Sequence, residues 1–118
     1  MARLTTHVLD TASGRPAAGV RVVLRRDGEA AVLADATTNS DGRLDRPLLE
    51  GAGLTPGRYE LSFHIGAYFR AQSEADAGSA AKPAFLDVIP VRIVLSEAAD
   101  YHVPLLISRF GYSVYRGS

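Results

Sequence analysis

Both ends of this chain read as β-strand. Leu4-Thr5-Thr6-His7-Val8-Leu9-Asp10 is strand-like almost from the first residue, with a histidine inside it. Tyr101-His102-Val103-Pro104-Leu105-Leu106-Ile107-Ser108 is a second such run, and after a turn Tyr112-Ser113-Val114-Tyr115-Arg116 carries on toward the final carboxylate. Chain ends usually fray. A chain that orders both, and places a histidine near each, is expected to build a site from them.

Between these runs the pattern is strand, turn, strand. Thr11-Ala12-Ser13-Gly14-Arg15-Pro16 is a turn with Gly and Pro in place. Val20 to Arg25 is a second strand, stopped by the turn pair Asp27-Gly28. Ala31 to Thr38 is a third, and Asn39-Ser40-Asp41-Gly42 turns the chain and delivers Arg43 at its exit. A Gly/Pro loop covers Gly51 to Gly57. Tyr59 to Ile65 alternates as a half-buried strand does. Phe85 to Leu95 is a long strand in which Pro90 marks a bulge or an edge. Only Ala67 to Ala77 reads as helix, from its Ala, Gln and Glu content, with Gly78 suited to cap it. Short strands at regular spacing around one short helix predict an all-β protein, an antiparallel sandwich.

Side chains alternate across a strand. Leu4, Thr6 and Val8 therefore share one face of the first strand, and Thr5, His7 and Leu9 the other. In the penultimate strand Val103, Leu105 and Ile107 oppose His102, Pro104 and Leu106. In the last, Ser113 and Tyr115 oppose Tyr112, Val114 and Arg116. The terminal strands thus carry apolar residues on both faces, although a sandwich in a monomer should keep one face wet. A second burial, against another copy of the chain, is the expectation.

Length and composition narrow the function. The 118 residues predict a single domain spanning 1–118. Thirteen basic and thirteen acidic residues cancel, and no basic run interleaves with aromatics, so nucleic acid is not an expected partner. Cysteine is absent, which removes disulfides and thiol chemistry. No stretch reads as a signal peptide or membrane span, and Arg116-Gly117-Ser118 is not the peroxisomal tripeptide, so a cytoplasmic protein with no membrane partner is expected.

Taken singly, the polar residues have ordinary readings. A histidine on a strand is more often a hydrogen-bonded structural residue than a catalyst, and His64 fits no pattern and is assigned a structural role. Arg43 alone is a solvated residue after a turn, and Tyr115 alone a strand aromatic. Three histidines without a ligand spacing such as His-Glu-x-x-His argue against a metal site. No Gly-x-Ser-x-Gly elbow supports a serine nucleophile.

Taken together, three segments resemble one family. Leu4 to Ala17 is similar to the N-terminal signature of the transthyretin-related 5-hydroxyisourate hydrolases, Thr38-Asn39-Ser40-Asp41-Gly42-Arg43 to their arginine turn, and Tyr101 to Ser108 with Gly111 to Ser118 to their C-terminal signature. Gly66-Ala67-Tyr68-Phe69 fits their helix start, and the terminal Tyr-Arg-Gly-Ser is the motif that separates these hydrolases from transthyretin. Val114 stands where the family usually has threonine, and Arg109-Phe110 replaces its commoner Pro-aromatic pair.

The resemblance implies a transthyretin-like sandwich of two antiparallel four-stranded sheets with one short helix. It implies a homotetramer, a dimer of dimers, with active sites in the channel between dimers. The implied reaction is hydrolysis of 5-hydroxyisourate to 2-oxo-4-hydroxy-4-carboxy-5-ureidoimidazoline in urate breakdown, without metal or cofactor. The family's catalytic set maps to His7, Arg43 and His102. Its terminal motif maps to Tyr115, Arg116, Gly117 and Ser118, which with Ser113 are the expected substrate-binding residues. Either histidine could activate water or protonate the departing nitrogen, and Arg43 can hold the developing oxyanion. The rival readings are a transthyretin-like carrier without hydrolase activity and an immunoglobulin-like structural module.

Overall fold

Residues 2–77 and 83–118 are described by the structure, a computed structural model. In chain order it contains β1 (Arg3–Asp10), β2 (Arg15–Pro16), β3 (Arg21–Arg26), β4 (Val32–Thr37), β5 (Leu49–Glu50), β6 (Gly57–His64), α1 (Ile65–Ala77), β7 (Val88–Leu95), β8 (Tyr101–Ile107) and β9 (Tyr112–Val114). The strands form two sheets. One is ordered β2-β1-β8-β9 with β5 also on β1, and the other β4-β3-β6-β7.

The expected sandwich is present, with one correction. The two sheets are not both antiparallel and four-stranded. β1 and β8 run parallel, from Leu4↔Tyr101 to Asp10↔Ile107, and the sheet counts five strands because the two-residue β5 adds to it. Strands joined by a tight turn must pair antiparallel. β1 and β8 are separated by nearly the whole chain, so no hairpin dictates their direction. The two-residue strands are short runs on β1 that sequence alternation is too brief to reveal.

The inner faces match the alternation. Leu4, Val8, Leu105 and Ile107 from the first sheet meet Val22, Leu24, Leu61 and Phe63 from the second, and all eight are fully buried. Burying each such side chain contributes about 1.5–3 kcal/mol. Polar groups within this layer are satisfied: Thr6 Oγ1 donates to the Val103 carbonyl at 2.6 Å, tying β1 to β8. At the end of β1, Asp10 Oδ1 accepts from the amides of Ala12 and Ser13, and Oδ2 accepts from the Tyr68 hydroxyl at 2.8 Å. Burial and this carboxylate push the Tyr68 hydroxyl pKa up, so it remains a donor and pins α1 to β1.

Two boundaries differ from the sequence reading. The helix begins at Ile65, straight out of β6, although Ile and Gly are weak helix formers. Ile65 is fully buried, and a side chain on Gly66 would lie 2.4 Å from Asp87 Oδ1, so packing overrides propensity. The Gly78 cap lies outside the described residues. The strand expected from Phe85 starts at Val88, because the Asp87 carbonyl accepts from Gly66 N at 2.9 Å instead of joining a ladder. Pro90 sits on the edge strand β7 opposite Ser62 in unbroken register, so it marks an edge and not a bulge.

The two outer faces are unlike. That of the second sheet is ionic, with Arg21 paired to Asp35 and Arg92 to Glu60 and Asp27. That of the first carries Thr5, His7, Leu9, His102 and Leu106, all half-buried, and the buried Pro104. Among the described residues no helix is long and apolar enough to cross a membrane.

Candidate active site

The parallel register brings the two histidines to one face. Thr5 lies opposite His102, and His7 opposite Pro104. Side chains of like parity in this register share a face, so His7 and His102 both project from the outer face of the first sheet.

Arg43 reaches the same face through a turn held at many points. Its residue bridges His7 in antiparallel fashion. The Gly42 carbonyl accepts from Val8 N at 2.8 Å. Gly42 has φ +73°, and a side chain there would come within 2.4 Å of the Val8 carbonyl oxygen, so only glycine fits. Asn39 organises the rest. Its Oδ1 accepts from Asp41 N at 2.9 Å and Arg43 N at 3.2 Å, its amide donates to the Arg43 carbonyl at 2.8 Å, and its Nδ2 donates to Asp45 Oδ1 at 2.9 Å. Asp41 then presents its carbonyl 2.9 Å from His7 Nε2. A carbonyl can only accept, so Nε2 carries the proton and Nδ1 is the nitrogen of His7 left for other work.

His102 is held on two sides. Its Nδ1 shares a hydrogen bond of 2.8 Å with Thr5 Oγ1. Gly117 lies against its ring, where a side chain would approach Cδ2 to 2.7 Å. The Gly117 amide also donates to the His102 carbonyl at 2.8 Å. Burial, then the nearby Arg43 and His7, lower the His102 pKa from its ordinary value, which favours the neutral ring at neutral pH. Among the described residues Arg43 has no carboxylate partner, since the ion pairs involve Arg21 and Arg92. A cleft of about 470 Å³ opens between Arg43, Thr5, His102, Gly117 and Ser118. A neighbouring cleft of about 350 Å³ shares Arg3, Thr5 and Arg43 and extends to Arg46 and Pro47.

The expected site residues therefore divide. His7 and His102 share the outer face of β1 and β8, Arg43 bridges His7, and Arg43, His102, Gly117 and Ser118 line the cleft. Ser113 and Tyr115 share the face but lie farther along it: Ser113 is opposite Leu106, and Tyr115, 55% exposed, donates its amide to the Pro104 carbonyl at 3.3 Å. Arg116 does not join them. Its guanidinium lies 4.5 Å from the centroid of the Tyr101 ring, on the opposite face. Alternation carries it there, one residue out of phase with Tyr115. His64 lies in the other sheet, opposite Arg21.

Several contributors carry no sequence signal of their own. Thr5 is two residues from His7 on the same face, but its partner His102 follows only from the parallel register. Asn39 and Gly42 read as ordinary turn chemistry until the contacts around them are seen. Arg3 lines both clefts.

Comparison with known proteins identifies the family. The chain is 53% identical over 119 residues to 5-hydroxyisourate hydrolase 2 of Rhizobium meliloti (strain 1021), covering 98% of this chain and 96% of that protein. The structure of Klebsiella pneumoniae 5-hydroxyisourate hydrolase superposes with a TM-score of 0.79 at 39% identity, over the whole of both chains. That of an (S)-allantoin synthase superposes with a TM-score of 0.83 at 41% identity, covering 98% of this chain and 43% of that longer one. The family model described as HIUase/Transthyretin matches residues 4–117, and the chain belongs to that family.

Proposed function

We propose that this protein hydrolyses 5-hydroxyisourate to 2-oxo-4-hydroxy-4-carboxy-5-ureidoimidazoline in the breakdown of urate. The observation that carries the reading is the placement of His7, Arg43 and His102 on one sheet face, with no carboxylate partner for Arg43 among the described residues. Full-length relatives named for this activity support it.

The chemistry follows from the side chains. With Nδ1 occupied by Thr5, His102 offers Nε2 as a base that takes a proton from water as its oxygen attacks the ring carbonyl. Arg43 holds the resulting oxyanion. Collapse breaks the ring carbon–nitrogen bond, and the nitrogen receives the proton that His102 took. The former carbonyl carbon stays attached to the opened product as a carboxylic acid, which gives its remaining proton to water to become the carboxylate. His7 Nδ1 is free to bond the substrate or stabilise the departing nitrogen. Proton transfer of this kind supplies roughly 10²–10⁴-fold, and oriented charge roughly 10²–10³-fold more. Gly117 and Ser118 would bound the cleft beside the ring, and Ser113 and Tyr115 would wall it farther along the face.

We extend the proposal to a homotetramer, a dimer of dimers. β7 and β9 are both edge strands. A groove of about 360 Å³ between them is lined by Val91, Ile93, Val103 and Val114. Pairing these edges would make the dimer. Apposing two faces bearing Leu9 and Leu106 would make the tetramer and enclose the site.

Freshly generated 5-hydroxyisourate mixed with the protein should lose its ultraviolet absorbance faster than in buffer, with the ring-opened product formed. Decay at the buffer rate, with the compound bound intact, would overturn the hydrolase and favour a carrier.

A further inference from the structure

We infer that Thr5 is a positioning residue of the site: its hydroxyl accepts the Nδ1 proton of His102, fixing both the ring's orientation and the tautomer that leaves Nε2 open to the cleft. The inference deepens the proposed hydrolase and rests on it.

The geometry leaves His102 little freedom. Thr5 stands directly across the parallel β1–β8 ladder, so backbone pairing on both strands sets the separation of the two side chains. The resulting contact is 2.8 Å. On the ring's other side Gly117 blocks rotation, because its backbone packs against Cδ2 closely enough to exclude a side chain. A ring held at Nδ1 and Cδ2 can turn neither about χ1 nor about χ2. Its remaining polar atom is Nε2.

A hydroxyl can donate or accept, and each choice fixes a different tautomer. If Thr5 donated, Nε2 would carry the proton and could not act as a base. If Thr5 accepts, Nε2 keeps its lone pair. Arg43 decides between them. It is a cation with only donor groups and lines the same cleft as His102. Within that shared cleft a donor-only cation favours a lone pair over a second N–H at the open nitrogen. The hydroxyl proton of Thr5 is then left for the cleft that Thr5 itself lines, where water can accept it.

Fixing the tautomer of a reactive histidine through its second nitrogen is a general device. The family resemblance maps catalysis to His7, Arg43 and His102 and gives Thr5 no role. Thr5 instead acts through His102, without needing to touch the reacting atoms.

The test is a pair of substitutions. Thr5→Val keeps the β-branched shape and removes the hydroxyl, whereas Thr5→Ser keeps the hydroxyl. Long-range ¹H–¹⁵N spectra of protein labelled at histidine, at neutral pH, should show His102 as the Nδ1-protonated tautomer in wild type and Thr5→Ser. Thr5→Val should show a mixture of tautomers. Turnover of 5-hydroxyisourate should fall about 10- to 100-fold in Thr5→Val, the loss typical of removing an orienting partner. KM should change less than about threefold, and Thr5→Ser should recover most of the rate. Melting temperature and sedimentation should match wild type in both. A wild-type spectrum in Thr5→Val, an Nε2-protonated ring in wild type, or equal loss in the Val and Ser variants would overturn the inference. If wild type fails to hydrolyse the substrate while the spectra behave as stated, it is the hydrolase reading that falls and the tautomer assignment that stands.

Discussion

Gly117 and His102 are in contact edge to backbone: a side chain on Gly117 would lie 2.7 Å from His102 Cδ2 and 3.2 Å from Pro104 Cγ. The next-to-last residue therefore helps to hold a histidine introduced fifteen positions earlier. The terminal motif thus acts on the site through packing as well as by lining the cleft. Gly117→Ala should lower turnover at least about 10-fold by displacing the ring, since a shift of ~1 Å can cost ~10². The tail is largely exposed, so the melting temperature should move little. Wild-type kinetics in this variant would show that the ring tolerates the shift.

His7→Ala, Arg43→Ala and His102→Ala should each reduce kcat/KM at least ~10²-fold, the lower range for acid–base and oxyanion groups. His64→Ala, in the opposite sheet, should be nearly silent. Steady-state assays on the four proteins check this, and a damaging His64 change beside a harmless His7 change would refute the assignment.

Arg43 depends on Gly42. Gly42→Ala forces a side chain into positive φ at a cost of about 1–2 kcal/mol, and drives it against the Val8 carbonyl oxygen. The variant should lose about 2 kcal/mol or more of stability by denaturant titration. Its activity should fall with the displacement of Arg43. Asn39→Ala should separate the two effects. It removes the acceptor for the Asp41 and Arg43 amides without a clash, so activity should drop more than stability does.

The pH dependence follows from His102. Burial, Arg43 and His7 lower its pKa below the ordinary histidine value of about 6.5. A base with a lowered pKa stays unprotonated in mildly acid solution, so the acidic limb of kcat should lie below that of an unperturbed histidine. Stability follows the same shift. Above the ordinary value, folded and unfolded chains both carry a neutral ring and there is no penalty. As pH falls through that value the unfolded chain takes up the proton first, and stability declines until the folded pKa is passed. Arg43→Met should raise the His102 pKa by removing a neighbouring charge. Titration of the His102 ring signals by NMR measures both values, and an unchanged pKa in the variant would mean that burial and His7 account for the shift without Arg43.

Much of this architecture is legible in the residues because alternation with a period of two survives in β1 and β8. Leu4, Thr6 and Val8 point inward, Thr5, His7 and Leu9 outward, as the alternation predicts. What alternation cannot give is pairing. The parallel register that sets Thr5 beside His102 joins segments far apart in sequence, and no local signal distinguishes it from an antiparallel one. Val114 shows a second limit. It shares the inner face with Leu105, yet is 40% exposed because β9 is an edge strand with nothing beyond it in the single chain. Arg116 shows a third: a motif position mapped to substrate binding lies on the wrong face by one step of alternation and stacks on Tyr101 instead.

The open edges and the half-buried apolar face motivate the assembly prediction. Light scattering or sedimentation at micromolar concentration should give four times the mass of the chain, and Leu106→Glu on the apposed face should dissociate tetramers to dimers and abolish turnover. A stable, fully active monomer would show that one chain holds the whole site.

Deleting residues 115–118 should abolish hydrolysis while sparing the fold. The deletion removes Ser118 from the cleft, the Gly117 amide that donates to the His102 carbonyl, and the backbone that packs against its ring. The core does not depend on these residues, since Leu105 and Ile107 on β8 remain fully buried between the sheets. The stability lost is that of two backbone bonds to β8, from Tyr115 N to the Pro104 carbonyl and from Gly117 N to the His102 carbonyl, at about 0.5–1.5 kcal/mol each, and of the exposed stacking of Arg116 on Tyr101 at about 0.5–1 kcal/mol. Loss of activity should come with a freed His102 ring, visible as exchange between tautomers in the long-range ¹H–¹⁵N spectrum. Tyr115→Thr alone leaves Gly117 and Ser118 in place and widens the face beside the cleft. It should therefore keep His102 ordered while gaining affinity for bulky aromatic ligands by calorimetry, at the expense of turnover. Wild-type turnover in the truncated protein would mean that His7, Arg43 and His102 are sufficient and that the tail only seals the assembly.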